Sequence, residues 1–228
     1  MFKEFGMVLL IIIVHEFGHL IAALYFKWNT GKIVIYPFGG CCKFDEEVNK
    51  PLKEELIILL SGPLMQIILC LIMGYFTSKG LMTYRNFSIF KTYHYTLLIF
   101  NLLPIYPLDG GRILNIITSY FFPYKSSNKI VISISLVMII IGLFLYKNLN
   151  FTMMGILMFI EILLYLKRQD FLYNRMLLER YIGSFKFKKL KVIKNKNNMY
   201  KDKRHVVLYN NKYITEKEYL KERFKVKI

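Results

Sequence analysis

The sequence predicts an all-α polytopic membrane protein of about five transmembrane helices, with one short β-hairpin or re-entrant segment and a small basic cytoplasmic tail. Three observations predict it. The 228 residues are 55% hydrophobic, and long apolar runs at that content point to a bilayer rather than a water-soluble core. Apolar runs recur near residues 2–26, 54–76, 89–118, 129–146 and 150–166, where a spanning helix needs about 20. The formal charge of +17 gathers after the last run, since residues 167–228 hold 19 Lys/Arg against 6 Asp/Glu, net +13.

The first run has Lys3 ahead of it and no small-residue cleavage site behind it. It is therefore read as a retained helix, not a removable signal. Between the first two runs, Lys32 to Phe44 reads KIVIYPFGGCCKF. β-branched and aromatic residues around a Pro and a Gly pair predict a strand pair too short to span. Its edge could offer backbone hydrogen bonds to an extended peptide, or it could be a plain connector. The third run is interrupted by Pro104, Pro107 and Asp109-Gly110-Gly111. Proline removes an amide donor and clashes with the preceding turn, so the helix must break there. Irregular backbone at membrane depth is tolerated only inside protein or beside a wet cavity, which makes the break a candidate site.

Lys147-Asn148-Leu149-Asn150 joins the fourth and fifth runs closely, predicting a tight helical hairpin. The chain then turns polar. A helical stretch is expected at Phe171–Tyr181, a hairpin at His205–Ile214 turning on Asn210-Asn211, and a charged helical end. The expected division is a membrane-embedded domain over residues 1–168 and a tail over 169–228. Placing the loop lysines Lys27, Lys32, Lys43, Lys50 and Lys53 inside with the tail puts the C-terminus in the cytoplasm. With five crossings the N-terminus then lies outside, together with Lys79, Arg85 and Lys91. The basic tail reads as a segment at the membrane lipid surface. It carries no nucleic-acid motif or aromatic platform, so no nucleic acid is expected as a partner. Cys41, Cys42 and Cys70 read as small apolar residues, and the adjacent pair cannot bridge without strain.

The chemistry sits in His15-Glu16-Phe17-Gly18-His19. On a helix, residues four apart lie about 40° apart around the axis, so both imidazoles can reach one ion. Two histidines and a glutamate in a lipid-spanning run are costly unless they bind something or face a cavity. Catalytic zinc takes three protein ligands and leaves a fourth position for water, whose pKa it lowers. Glu16 is placed to take the water's proton and pass it to a leaving amine. Gly18 leaves room for a neighbouring helix or substrate. A third ligand must come from elsewhere. His205 lies in the polar tail and His94 near the start of the third run. Asp109, an acid at the proline break, is the stronger candidate, and capping a helix is compatible with ligation. Asn101 is a weaker site candidate, able to hydrogen-bond a substrate backbone or polarise a carbonyl, or else to join two helices.

Together, HEFGH in one membrane run and NLLPIYPLDGG in a later one resemble the site-2 protease family of intramembrane metalloproteases. That resemblance implies one zinc ion held by His15, His19 and Asp109, with Glu16 catalytic. The likeness spans roughly residues 5–120. Phe38 to Gln66 and FNLLPIYPLDGGRIL are similar to the sporulation branch, the stage IV sporulation protein FB group. This implies a protein substrate, namely a sigma-factor precursor, with inhibitory membrane partner proteins, in the membrane around the forespore. Within the same chemistry, the alternative is a transmembrane anti-sigma factor or a signal-peptide remnant. Two features depart from the family pattern: the motif helix comes almost first, and the 60-residue tail is short for a nucleotide-sensing CBS pair. A metal transporter would spread polar groups over several helices in a repeated architecture. Here they focus on one point and no repeat is visible.

Overall fold

A computed structural model of the chain describes residues 2–28, 33–36, 39–42, 48–145, 148–183, 185, 187, 189–194, 198–209 and 212–225. Helices dominate: α1 (Phe2–Tyr25), α2 (Leu52–Ser78), α3 (Tyr84–Asn101), α4 (Asp109–Phe121), α5 (Tyr124–Leu145), α6 (Leu149–Ile182) and α7 (Glu216–Phe224). Strands β1 (Ile33–Tyr36) and β2 (Gly39–Cys42) pair with each other. Strands β3 (Lys189–Ile193), β4 (Lys203–Tyr209) and β5 (Lys212–Thr215) form a sheet in the order β3-β4-β5.

Among the described residues four helices, α1, α2, α5 and α6, are long and apolar enough to cross a membrane. The third apolar run divides as its prolines require. α3 ends at Asn101 and α4 restarts at Asp109. At about 1.5 Å per residue the 13 residues of α4 reach about 20 Å, short of a crossing. Five apolar runs thus become four long helices and one broken pair.

Cα packing divides the chain into two units. The first takes Met1–Glu46, Lys53–Leu103 and Leu108–Gly110. In it α1 packs on α3 and beside β2, around a core of Ile11, Leu69 and Phe90. The expected strand pair is present as an antiparallel hairpin with Ile33 opposite Cys42 and Tyr36 opposite Gly39. Its outer residues Lys32, Lys43 and Phe44 and its Pro37-Phe38 corner lie outside the described residues.

The second unit takes Glu47–Leu52, Pro104–Pro107 and Gly111–Ile228. α5 and α6 form the expected helical hairpin, though α5 starts at Tyr124, earlier than the apolar run suggested. α6 continues unbroken for 34 residues, absorbing the helix expected at Phe171–Tyr181. The reason is local: Lys167-Arg168-Gln169 are good helix formers, and no Gly or Pro stops the helix. Its length of about 51 Å exceeds the hydrocarbon thickness by about 20 Å. The surplus turns supply Tyr173, Met176 and Leu177 to a core completed by Ile193, Met199, Val207, Tyr219 and Leu220. β4 and β5 are the expected hairpin, whose Asn210-Asn211 turn lies outside the described residues. β3, parallel to β4, is an element the sequence reading lacked. In its KLKVI only Ile193 is buried, which leaves no clean alternation to read.

Candidate metal centre

His15 and His19 are 3% and 5% exposed, on the face of α1 turned toward α2. The helices meet closely because both lack a side chain at the crossing. A Cβ on Gly18 would lie 2.5 Å from the Ser61 carbonyl oxygen. A Cβ on Gly62 would lie 2.9 Å from His15 Nε2 and overlap the His19 ring. Ser61 Oγ ties the crossing by donating to the Gly18 carbonyl at 2.9 Å.

The outward nitrogens of the two rings are spoken for. His19 Nδ1 donates to the Ile58 carbonyl at 2.7 Å. His15 Nδ1 lies 3.1 Å from Gln66 Oε1, and Gln66 Nε2 donates to the His94 carbonyl at 2.9 Å. A carbonyl only accepts, so the Gln66 amide nitrogen must face His94 and its oxygen must face His15. Both imidazoles therefore carry their proton on Nδ1 when neutral, leaving a lone pair on each Nε2. Ile58, Gly62 and Gln66 stand four apart along α2, so one helical stripe seats both rings.

Those two lone pairs converge on a third acceptor. His15 Nε2 and His19 Nε2 are 3.1 Å apart, and Asp109 Oδ2 lies 2.9 Å from the first and 3.3 Å from the second. Asp109 opens α4, held there by the folded-back break: a Cβ on Gly110 would collide with the Leu102 and Leu103 carbonyls. Three atoms offering lone pairs, with no proton assigned among them, repel one another unless a cation lies between. The residues fit a metal. Ligands about 2.0–2.1 Å from a tetrahedral ion stand about 3.3 Å apart, close to the observed triangle. Donors of two imidazoles and one carboxylate match the ligand chemistry of zinc. A carboxylate oxygen of Glu16 lies within 4.8 Å of a ring nitrogen of each histidine.

The structure thus brings His15, His19 and Asp109 together and keeps Glu16 beside them. His94 joins by its backbone carbonyl, while its ring stacks on Phe90 at 6.1 Å. His205 lies in the second unit. Asn101 is half-buried at the end of α3. Among the described residues no hydrogen bond links its amide to the cluster. Sequence reasoning passed over Gly62 and Gln66. The available signal for Gln66 was an uncharged polar side chain in the middle of an apolar run.

The model of peptidase family M50 matches residues 4–92 and 79–143, more than half of the chain. Stage IV sporulation protein FB of Bacillus subtilis is 32% identical over 184 residues, covering 77% of this chain and 62% of that protein. A zinc metalloprotease of Methanocaldococcus jannaschii is 33% identical over 139 residues, covering 58% of this chain and 40% of its own length. The chain therefore spans about two fifths to three fifths of these relatives. Among solved structures, a site-2 protease from Methanocaldococcus jannaschii superposes with a TM-score of 0.52 at 25% identity, covering 81% of this chain and 80% of that one.

Proposed function

Since the chain belongs to peptidase family M50, a zinc-dependent family, and is an integral membrane protein, we propose that it hydrolyses a peptide bond of a membrane-associated protein. One observation carries the reading: two imidazole lone pairs and a carboxylate oxygen, 2.9 to 3.3 Å apart, converge in a buried site. His15, His19 and Asp109 hold zinc in this reading. Zinc bound there supplies Lewis acidity, which polarises a carbonyl and acidifies water. Glu16 takes up the proton that water loses as its oxygen bonds to the scissile carbonyl carbon. The carbon–nitrogen bond then breaks, and Glu16 returns the proton to the departing amine. Hairpin β1–β2, beside α1, offers strand edges on which an extended substrate can pair. Asn101 is assigned a hydrogen bond to the substrate backbone.

The substrate proposed is a sporulation sigma-factor precursor, in keeping with the likeness to stage IV sporulation protein FB. That likeness also supports a location in the membrane around the forespore and control by inhibitory membrane partners. The basic tail supports a cytoplasmic C-terminus. Residues 1–168 are assigned as the protease domain and 169–228 as the tail.

Co-expression of the chain with such a precursor tests this. Wild type should shorten the precursor on a gel, and Glu16→Gln should abolish shortening while keeping one zinc per chain. Full processing by Glu16→Gln would remove Glu16 as the base. Cleavage of a transmembrane anti-sigma factor or a signal-peptide remnant instead would keep the chemistry and replace the substrate.

A further inference from the structure

Gln66 belongs to no motif that the zinc reading uses, yet it is fully buried and bonded at both ends of its amide. Its oxygen faces His15 Nδ1 at 3.1 Å and its nitrogen donates to the His94 carbonyl at 2.9 Å. Resting on the metalloprotease reading, we propose that Gln66 is a positioning residue that locks His15 in its Nδ1–H form and aims Nε2 at the metal. The lock has a direction. The His94 carbonyl on α3 orients the amide, the amide orients the imidazole, and α3 thereby sets the ring of a helix it packs against.

His19 gains the same restraint from a backbone carbonyl, Ile58, which no side-chain substitution can remove. His15 depends on a side chain. Without Gln66 Oε1 its ring could turn or carry its proton on Nε2, and a protonated Nε2 offers no lone pair to a metal. Partners of this kind fix ring orientation and tautomer at metal sites, and losing one costs about 10–100-fold in metal affinity or activity.

The test compares Gln66→Leu with Gln66→Glu in the full chain, purified in detergent, using zinc alone as the probe. Leu keeps the volume and removes both hydrogen bonds. Glu keeps an acceptor for His15 Nδ1 whether ionised or protonated, and when protonated it also donates to His94. Zinc dissociation constants are measured by chelator competition. Gln66→Leu should bind zinc about 10–100-fold more weakly than wild type, and Gln66→Glu should stay within about threefold. With cobalt in place of zinc, the visible absorption of Gln66→Glu should match wild type and that of Gln66→Leu should differ. Equal affinity of Gln66→Leu and wild type overturns the proposal. So does equal weakening of both variants, which would mark the residue as packing alone. Absence of zinc binding by wild type would instead overturn the metalloprotease reading itself.

Discussion

Each unit of the chain buries a cluster of polar side chains, and the two clusters balance in opposite ways. In the tail, Arg180 is 4% exposed and all five of its N–H groups find acceptors. Nε donates to Asn49 Oδ1, Nη1 to the Lys203 carbonyl and Glu216, and Nη2 to the Tyr200 and Lys201 carbonyls. Asn49 in turn donates to the Met176 carbonyl and Glu179, and Glu216 accepts from the His205 amide. That cluster contains its own cation. In the first unit, His15, His19 and Asp109 present three acceptors to one another, while their donors are already used on Gln66 and Ile58. A buried cluster whose donors and acceptors match is structural. One with surplus lone pairs on a single point is built for a positive charge from outside.

Asp109→Ala breaks the contrast most severely. It removes the carboxylate and one edge of the triangle, so purified protein should lose zinc from one per chain to well below half, with cleavage abolished. Zinc stoichiometry and turnover equal to wild type would end the ligand assignment. Arg180→Met is the counterpart in the tail. Five acceptors then lose their donor in a site closed to water, at a cost of about 3–5 kcal/mol, as when one partner of a buried ion pair is removed. Thermal unfolding and limited proteolysis of the tail should register it. Zinc content should not change, because the tail cluster shares no side chain with the membrane site.

Gly62→Ala comes next. Its methyl would lie 2.9 Å from His15 Nε2 and against the His19 ring, so α1 and α2 must separate or the imidazoles must turn. Overpacking of this kind costs about 1–3 kcal/mol, and zinc affinity should fall with it. Ordinary zinc binding and stability in Gly62→Ala would show that the helices tolerate a wider crossing.

Sequence alone revealed the ion-seeking cluster better than the balanced one, for a physical reason. HEFGH encodes its geometry in its spacing, because a helix brings residues four apart together whatever else the chain does. Asp109 announced itself as an acid in an apolar run beside two prolines. Gln66 meets His15 across 51 positions of sequence, and the Ile58 and His94 carbonyls that complete the site have no residue-type signature. The same rule that found Asp109 also raised Asn101, which the structure leaves half-buried at the end of α3. The tail cluster was invisible, since Arg180, His205 and Glu216 look like ordinary surface residues in a basic stretch and Asn49 lies more than 100 positions upstream of them in a charged loop. Only the long α6, running past its apolar segment, brings Arg180 among them.

The smallest expected effect, and the finest test of the contrast, lies in the pH response of that tail cluster. The Tyr200 amide donates to His205 Nε2 at 2.9 Å, so the neutral ring keeps its proton on Nδ1, facing Glu216 at 3.0 Å. A second ring proton would sit against the Tyr200 N–H. Burial holds the His205 pKa below its usual 6.5, outweighing the pull of Glu216. Burial pushes Glu216 upward, but His205 and Arg180 more than reverse it, leaving its carboxyl below the usual 4.5. Both signs agree. A histidine lowered in the folded state contributes stability that is full above about pH 6.5 and lost as acid protonates the unfolded chain preferentially. A carboxyl lowered in the folded state contributes stability present above about pH 4.5 and lost as the pH falls through its folded value. The melting temperature of the tail should therefore stay flat above pH 7 and decline below about 6.5. His205→Gln, which has no titrating group, should flatten the first part of that decline and leave the part below about 4.5 in place. A wild-type curve that rises on acidification from pH 7 to 5 would reverse the sign for His205 and mean that the folded ring takes up a second proton, on Nε2, in place of the Tyr200 contact.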